Sequence, residues 1–112
     1  MVLCLYQKKK IWSGILRFNF ENKNVLITGS GRGIGEQIVN DFKKSGANVI
    51  CISKTSKHLN KLKSKIGEKK DIFSVINLEK KNFLTKIKKI IKNKNIQIVI
   101  NNVGGTLNIT NP

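Results

Sequence analysis

The run Thr28-Gly29-Ser30-Gly31-Arg32-Gly33-Ile34-Gly35 places glycine at four of eight positions. It follows directly on the apolar Val25-Leu26-Ile27 and leads directly into Glu36-Gln37-Ile38-Val39-Asn40-Asp41-Phe42. A strand that ends in a glycine-rich turn and opens at once into a helix leaves backbone N–H groups and a positive helix terminus facing outward. That is an anion site, suited above all to a phosphate or pyrophosphate. Glycine is required in such a turn where φ is positive, where the backbone approaches its ligand without a Cβ, and where helix and strand pack closely.

From Asn24 onward, apolar runs of strand length alternate with amphipathic segments of helix length. Val25–Thr28 reads as the first strand. Ile34, Ile38, Val39 and Phe42 recur at helical spacing, and Ser45-Gly46 stops that helix. Asn48–Ser53 is continuously apolar in its interior and reads as a strand buried on both faces. Leu59, Leu62 and Ile66 mark a second helix that ends at Gly67. Asp71–Asn77 is predicted as a third strand and Ile96–Asn101 as a fourth, running into Val103-Gly104-Gly105. Between them Phe83, Leu84, Ile87, Ile90 and Ile91 form the apolar face of a third helix, with lysines outside. The order βαβαβαβ predicts an α/β fold, a parallel sheet covered on both faces.

Length permits one such unit. A chain of 112 residues is a single small domain, burying about two-thirds of its unfolded surface. Its hydrophobic fraction of 39% and charged fraction of 25% are those of an ordinary soluble globular protein, and its apolar runs fall far short of the roughly 18 residues that span a bilayer. The net charge of +16, from 22 Lys+Arg against 6 Asp+Glu, raises the question of nucleic acid. The lysines are scattered over every segment, and one Tyr and one Trp supply no aromatic interleaving for base stacking. The expectation is weak attraction to polyanions at low salt, with no specific nucleic-acid recognition. Cys4 and Cys51 fit no C-x-x-C spacing and read as buried free thiols in a reducing cytoplasm. His58 has no acidic or cysteine cluster with it, so no metal site is expected. In Met1–Lys10 the apolar residues precede the lysines, the reverse of a secretory signal. Residues 1–20 read as an N-terminal extension, with Ile11, Trp12, Ile15 and Leu16 at helical spacing.

Spacing narrows the ligand. A G-x-x-x-x-G-K-[ST] loop needs a lysine and a hydroxyl after its last glycine, whereas Gly35 is followed by Glu36 and Gln37. G-x-G-x-x-G also fails, since it requires glycine at Ile34 or at Glu36. The pattern that fits is T-G-x-x-x-G-x-G, on Thr28, Gly29, Gly33 and Gly35. With it, this loop resembles the cofactor loop of the short-chain dehydrogenase/reductase family, and Asn101-Asn102-Val103-Gly104 resembles that family's N-N-A-G motif at the end of its fourth strand. The two motifs stand in the family's order, each at a strand end, and the resemblance covers about residues 20–112.

The resemblance implies a Rossmann-like doubly wound sheet, present here through its fourth strand in the order 3-2-1-4, and a partial NAD(P)-binding domain over residues 21–112. It implies carbonyl/alcohol hydride transfer and, for full-length members, homo-oligomers. Carried over residue by residue, Gly29, Gly33 and Gly35 line the pyrophosphate, with Thr28 and Ser30 in the same loop and Ile34 offering its backbone N–H at the helix start. Asn101, Asn102 and Gly104 lie near the adenine and the nicotinamide ribose and hold the fourth strand in place. Asn77 stands where the family has an aspartate touching adenine; its amide can donate to a ring nitrogen but offers no carboxylate. An NAD-preferring site places an acidic residue at the end of the second strand to bind the ribose 2′-hydroxyl. Here that place is Ser53, followed by Lys54, and Lys54 with Arg32 can pair a 2′-phosphate. NADP is therefore expected over NAD.

The family's proton donor is a tyrosine with a lysine four residues on, helped by a serine, beyond the fifth strand. These 112 residues do not reach it. Tyr6 and Lys10 match Y-x-x-x-K, but they precede the first strand and have no route to the carboxyl edge of the sheet, so no catalytic residue is assigned. In the family's strand order Ile96–Asn101 is paired on one side only, leaving a long apolar edge without proline or lysine to blunt it. The isolated chain is expected to be marginally stable and to associate through that edge. Two functions fit: the cofactor-binding half of an NADP-dependent oxidoreductase whose catalytic half is absent from these residues, or a noncatalytic dinucleotide-binding or interaction module.

Overall fold

The structure, a computed structural model, describes residues 19–102. The helical spacing at Ile11–Leu16, the Tyr6–Lys10 pair, Cys4, and the Val103–Gly105 turn with Gly104 lie outside the described residues.

Seven elements follow one another in the expected alternation: β1 (Asn24–Thr28), α1 (Gly33–Lys44), β2 (Asn48–Ser53), α2 (Ser56–Ile66), β3 (Ile72–Val75), α3 (Phe83–Ile91) and β4 (Ile98–Asn101). The strands form one parallel sheet in the order β3-β2-β1-β4. In β1 and β2 successive side chains point to opposite faces, and both sets are apolar. Val25, Ile27, Val49 and Cys51 pack with Val39 and Phe42 of α1 and Leu59 and Leu62 of α2. Leu26, Ile50 and Ile52 point the other way, where Ile76 joins them and Phe83, Ile87, Ile90 and Ile91 of α3 pack against the cluster. Right-handed crossovers account for this division. The connections running from β1 outward to β3 lay α1 and α2 on one face, and the return from β3 to β4 lays α3 on the other.

Three differences from the sequence-based expectation have physical causes. The third strand is shorter than Asp71–Asn77. Asp71 turns its carboxylate back onto Val49 and Glu68, and Asn77 accepts the Glu79 N–H at its Oδ1, 2.9 Å, which starts a turn. The fourth strand begins at Ile98, because Gln97 spends both its backbone N–H and its side-chain oxygen on the backbone of Asn24. On α3, Leu84 is 56% exposed and no residue is fully buried, so its apolar face is narrower than the spacing predicts.

Helix ends are set locally. Gly46 adopts φ +91° just past α1, and the N–H groups of Ser45 and Gly46 return to carbonyls of the last turn, as expected of a glycine stop. Lys43, in that last turn, reaches across to the segment before β3. It pairs with Asp71 at 2.8 Å and with Glu68. The Asp71 side chain is wholly buried, and its two oxygens also accept the N–H groups of Val49 and Glu68 at 3.0 Å each. One carboxylate therefore ties α1, β2 and the α2–β3 connection together. Burial pulls the Lys43 ammonium down, but Asp71 and Glu68 outweigh it and leave its pKa raised above 10.5.

Asp71→Ala leaves the Lys43 ammonium with only the exposed Glu68 and the Val49 N–H without its acceptor, so it should cost about 3 kcal/mol in a denaturant titration. The raised lysine pKa means that the Lys43 contribution is complete below the ordinary lysine value of 10.5. It should be lost as pH rises through the higher folded value, and an alkaline titration of stability checks this.

Candidate functional site

The glycine loop leaves β1 at the carboxyl edge of the sheet and is held on two sides. On the β4 side, Thr28 is buried and its Oγ1 donates to Asn101 Oδ1 at 2.9 Å while accepting the Asn102 N–H at 3.1 Å. Asn102 Nδ2 donates to the Gly29 carbonyl at 3.2 Å. The two sequence motifs thus meet in space, hydrogen-bonded to one another. Gly29 has φ +64°, and a Cβ built on it would lie 2.7 Å from the Asn102 carbonyl oxygen. Gly35 is more constrained still. A Cβ there would overlap the Gly29 carbonyl oxygen and come within 2.8 Å of Asn102 Nδ2, so α1 can start where it does only because residue 35 has no side chain.

On the β2 side, Ser30 is fully buried, and both its N–H and its Oγ point to the Ile52 carbonyl, at 3.3 and 3.2 Å. Gly31 is also buried, and a Cβ on it would lie 2.8 Å from His58 Cβ and 3.1 Å from Ser53 Oγ. Beneath the loop Cys51 is a free, buried cysteine, as expected. Burial, only partly opposed by the Ser30 hydroxyl, pushes its thiol up to about 12, which keeps it protonated and unreactive at neutral pH.

Beyond Gly31 the loop turns outward. Arg32 is the N-cap of α1, fully extended at φ −158° and ψ 172°, and no side chain caps the helix. The Glu36 N–H, bonded to the Arg32 carbonyl at 3.3 Å, is the first to bond back into the helix. The N–H groups of Gly33, Ile34 and Gly35 precede it and have no acceptor within the helix. Gly33 sits at φ +60° with nothing within 4 Å of its missing Cβ, and the Ile34 side chain is 62% exposed. The helix end therefore presents open backbone donors and a positive dipole to whatever lies above the sheet edge.

The remaining candidates fall along the same edge. Ser53 ends β2; its Oγ accepts the Thr55 N–H at 3.2 Å and its carbonyl accepts the Ile76 N–H at 3.0 Å. Lys54 follows, exposed, with no acidic residue at this strand end. The Asn77 side-chain oxygen is committed to Glu79, so its NH2 is the group placed to donate. Asn101 and Asn102 sit at the end of β4. Two residues that the sequence pattern does not single out join the arrangement: Gly31, which lies outside T-G-x-x-x-G-x-G, and His58, an isolated histidine with no cluster in the sequence to mark it. Among the described residues, no group of three or more His, Cys, Asp or Glu could hold a metal ion.

The order β3-β2-β1-β4, two helices on one face and one on the other, and a glycine turn at the carboxyl edge define the first part of a doubly wound, Rossmann-like α/β domain. The family model described as short chain dehydrogenase matches residues 23–111, and the chain belongs to that family. Over 41 residues it is 49% identical to 11-beta-hydroxysteroid dehydrogenase B of Sesamum indicum, covering 37% of this chain and 11% of that protein. L-sorbose reductase of Gluconobacter frateurii, solved with NADPH and L-sorbose, superposes with a TM-score of 0.70 at 23% identity over 80% of this chain and 36% of its own. 2-Keto-3-deoxy-D-gluconate dehydrogenase of Streptococcus agalactiae gives 0.66 at 27% identity over 79% and 35%. The chain thus spans little more than a third of these structural neighbours and about a tenth of the curated relative.

The two helix-start glycines separate packing from backbone strain. Gly35→Ala drives a methyl group into the Gly29 carbonyl and should destabilise by about 3 kcal/mol or more. Gly33→Ala meets no atom and carries only the left-handed backbone penalty, about 1–2 kcal/mol. Parallel urea titrations check the ranking.

Proposed function

We propose that this chain is the cofactor-binding portion of an NADP-dependent short-chain oxidoreductase. The observation that carries the reading is the uncapped start of α1, held open by the Gly29–Gly35–Asn102 contact and flanked by Arg32 and Lys54 with no carboxylate at the end of β2. The N–H groups of Gly33, Ile34 and Gly35 suit a pyrophosphate, and glycine at 33 leaves the approach clear. Thr28 and Ser30 serve by fixing the loop, one to β4 and one to β2. Arg32 and Lys54, beside Ser53, suit a 2′-phosphate. The Asn77 amide suits an adenine ring nitrogen, and Asn101, Asn102 and Gly104 suit the adenine and the nicotinamide ribose. L-sorbose reductase, with the same fold, is solved with NADPH, which supports this choice of dinucleotide.

When bound, the nicotinamide supplies a hydride donor or acceptor for a carbonyl/alcohol pair. The residues described here bind and orient; none of them is a proton donor placed beside a carbonyl. The only tyrosine of the sequence, Tyr6, precedes β1. We therefore assign no proton donor among these 112 residues and expect them to bind the dinucleotide without turning it over. The bound unit is taken as residues 21–112 with residues 1–20 as an extension. A cytoplasmic setting suits the unpaired Cys51, and no helix among the described residues is long and apolar enough to cross a membrane.

NADPH should bind in a calorimetric titration at least about tenfold more tightly than NADH, the scale of one charge-assisted hydrogen bond. Arg32→Ala should remove most of that difference while leaving NADH affinity nearly unchanged. Equal affinity of the unaltered chain for both dinucleotides would overturn the NADP reading.

We also propose self-association through β4. Among the described residues this strand pairs only with β1, and it exposes Val99 at 61%. Sedimentation of the 112-residue chain should show concentration-dependent association that Val99→Lys reduces, since an edge lysine opposes strand addition.

A further inference from the structure

We infer that His58 is a positioning residue for dinucleotide selectivity, acting by its contact with Gly31. This rests on the reading of the loop as an NADP site and adds a determinant that the motif residues do not contain.

Gly31, Ser53 and His58 form one contact. The position of a Cβ on Gly31 is 2.8 Å from His58 Cβ and 3.1 Å from Ser53 Oγ, so the glycine backbone is seated directly on the β2–α2 junction. His58 is in the first turn of α2, and that helix is itself anchored by Leu59 and Leu62, both buried in the core. Its β-carbon is therefore a fixed wall and not the end of a mobile side chain. Ser53 is equally fixed, through its carbonyl to Ile76 and its hydroxyl to Thr55.

The two cations that select a 2′-phosphate are the chain neighbours of this contact. Arg32 follows Gly31, and Lys54 follows Ser53. Arg32 is extended and exposed, and Lys54 is exposed, so neither is oriented by packing of its own side chain. The Ser30–Ile52 hydrogen bonds hold the loop to β2, and beyond them the seat of Gly31 on His58 and Ser53 sets the distance between the two backbones. A guanidinium and an ammonium recognise a phosphate jointly only when both reach it, so a small displacement of the loop from α2 removes one of them. A ribose 2′-hydroxyl has no charge for the pair to bind, and the pyrophosphate site at Gly33–Gly35 is held from the other side, by Asn102. Displacement at Gly31 should therefore alter NADPH affinity and spare NADH affinity.

The test is calorimetric titration of NADPH and NADH into the unaltered chain, Gly31→Ala, His58→Gly and the double variant, with circular dichroism as the check on folding. Gly31→Ala should lower the NADPH-to-NADH affinity ratio by about tenfold, the loss of one charge-assisted contact. His58→Gly removes the wall and should lower the ratio by itself, while the double variant, with room for the added methyl, should recover most of it. Equal weakening of both dinucleotides by Gly31→Ala would overturn the inference, as would an unchanged ratio in His58→Gly, which also decides the matter if Gly31→Ala does not fold. An unaltered chain that binds both dinucleotides equally, or neither, overturns the NADP reading and this inference with it. One that prefers NADPH but shows no coupling between positions 31 and 58 overturns the inference alone.

Discussion

The carbonyl oxygen of Gly29 occupies the place where residue 35 would carry a Cβ. That contact between the end of β1 and the first turn of α1 fixes most of what lies at the carboxyl edge of the sheet. Because the loop folds back so tightly, the Gly29 carbonyl is presented to Asn102, Thr28 meets both Asn101 and Asn102, and β4 is drawn into register beside β1. The chain closes a separation of more than 70 residues with three side-chain hydrogen bonds at one point. Each is worth only about 1 kcal/mol; their weight comes from holding the turn, the helix start and the fourth strand as one rigid corner.

The two faces of the sheet are not packed alike. Under α1 and α2 the strands meet a dense set of fully buried residues, Val25, Ile27, Val39, Val49, Cys51, Leu59 and Leu62. Under α3 the strands supply Leu26, Ile50 and Ile52, but the helix contributes only half-buried side chains, and Leu84 and Val99 stay exposed. Burial per side chain is the main source of stability in a domain of this size. The α1–α2 face and the Lys43–Asp71 tie therefore hold the fold, and the α3 face is the side where local opening costs least.

The alternation of strand and helix was legible because continuous apolar runs of strand length and period-3.6 apolar patterns are strong signals over segments of this length, and each helix end here carries its own glycine or turn. The glycine loop and the paired asparagines were legible because their spacing expresses backbone sterics directly: Gly29 and Gly35 are glycine for contacts that any side chain would break. Asp71 was not legible as a hub, since a carboxylate accepting from Val49, Glu68 and Lys43 depends on how three segments converge and leaves no mark in any one of them. The same is true of Gly31 and His58, brought together from different elements. β3 and β4 are shorter than their apolar patterns because Asn77 and Gln97 use side-chain oxygens to cap or turn the backbone, and that competes with the ladder without altering the apolar pattern.

Arg32 at the head of α1 has a further consequence. Most helices begin at a residue whose oxygen can satisfy the first donors; an arginine there can only repel or be repelled by the positive end of the dipole. Glu36 places one carboxylate in the first turn, but no side chain caps the helix, and an anion bound at Gly33–Gly35 would complete it. Occupancy and folding then form a single equilibrium: a ligand present at a hundred times its dissociation constant would add about 2.7 kcal/mol to the stability of the domain. In a chain whose α3 face is only partly covered, that increment is a substantial fraction of the roughly 5–15 kcal/mol by which a domain is stable, so a ligand received at this loop would make the fold answerable to its concentration.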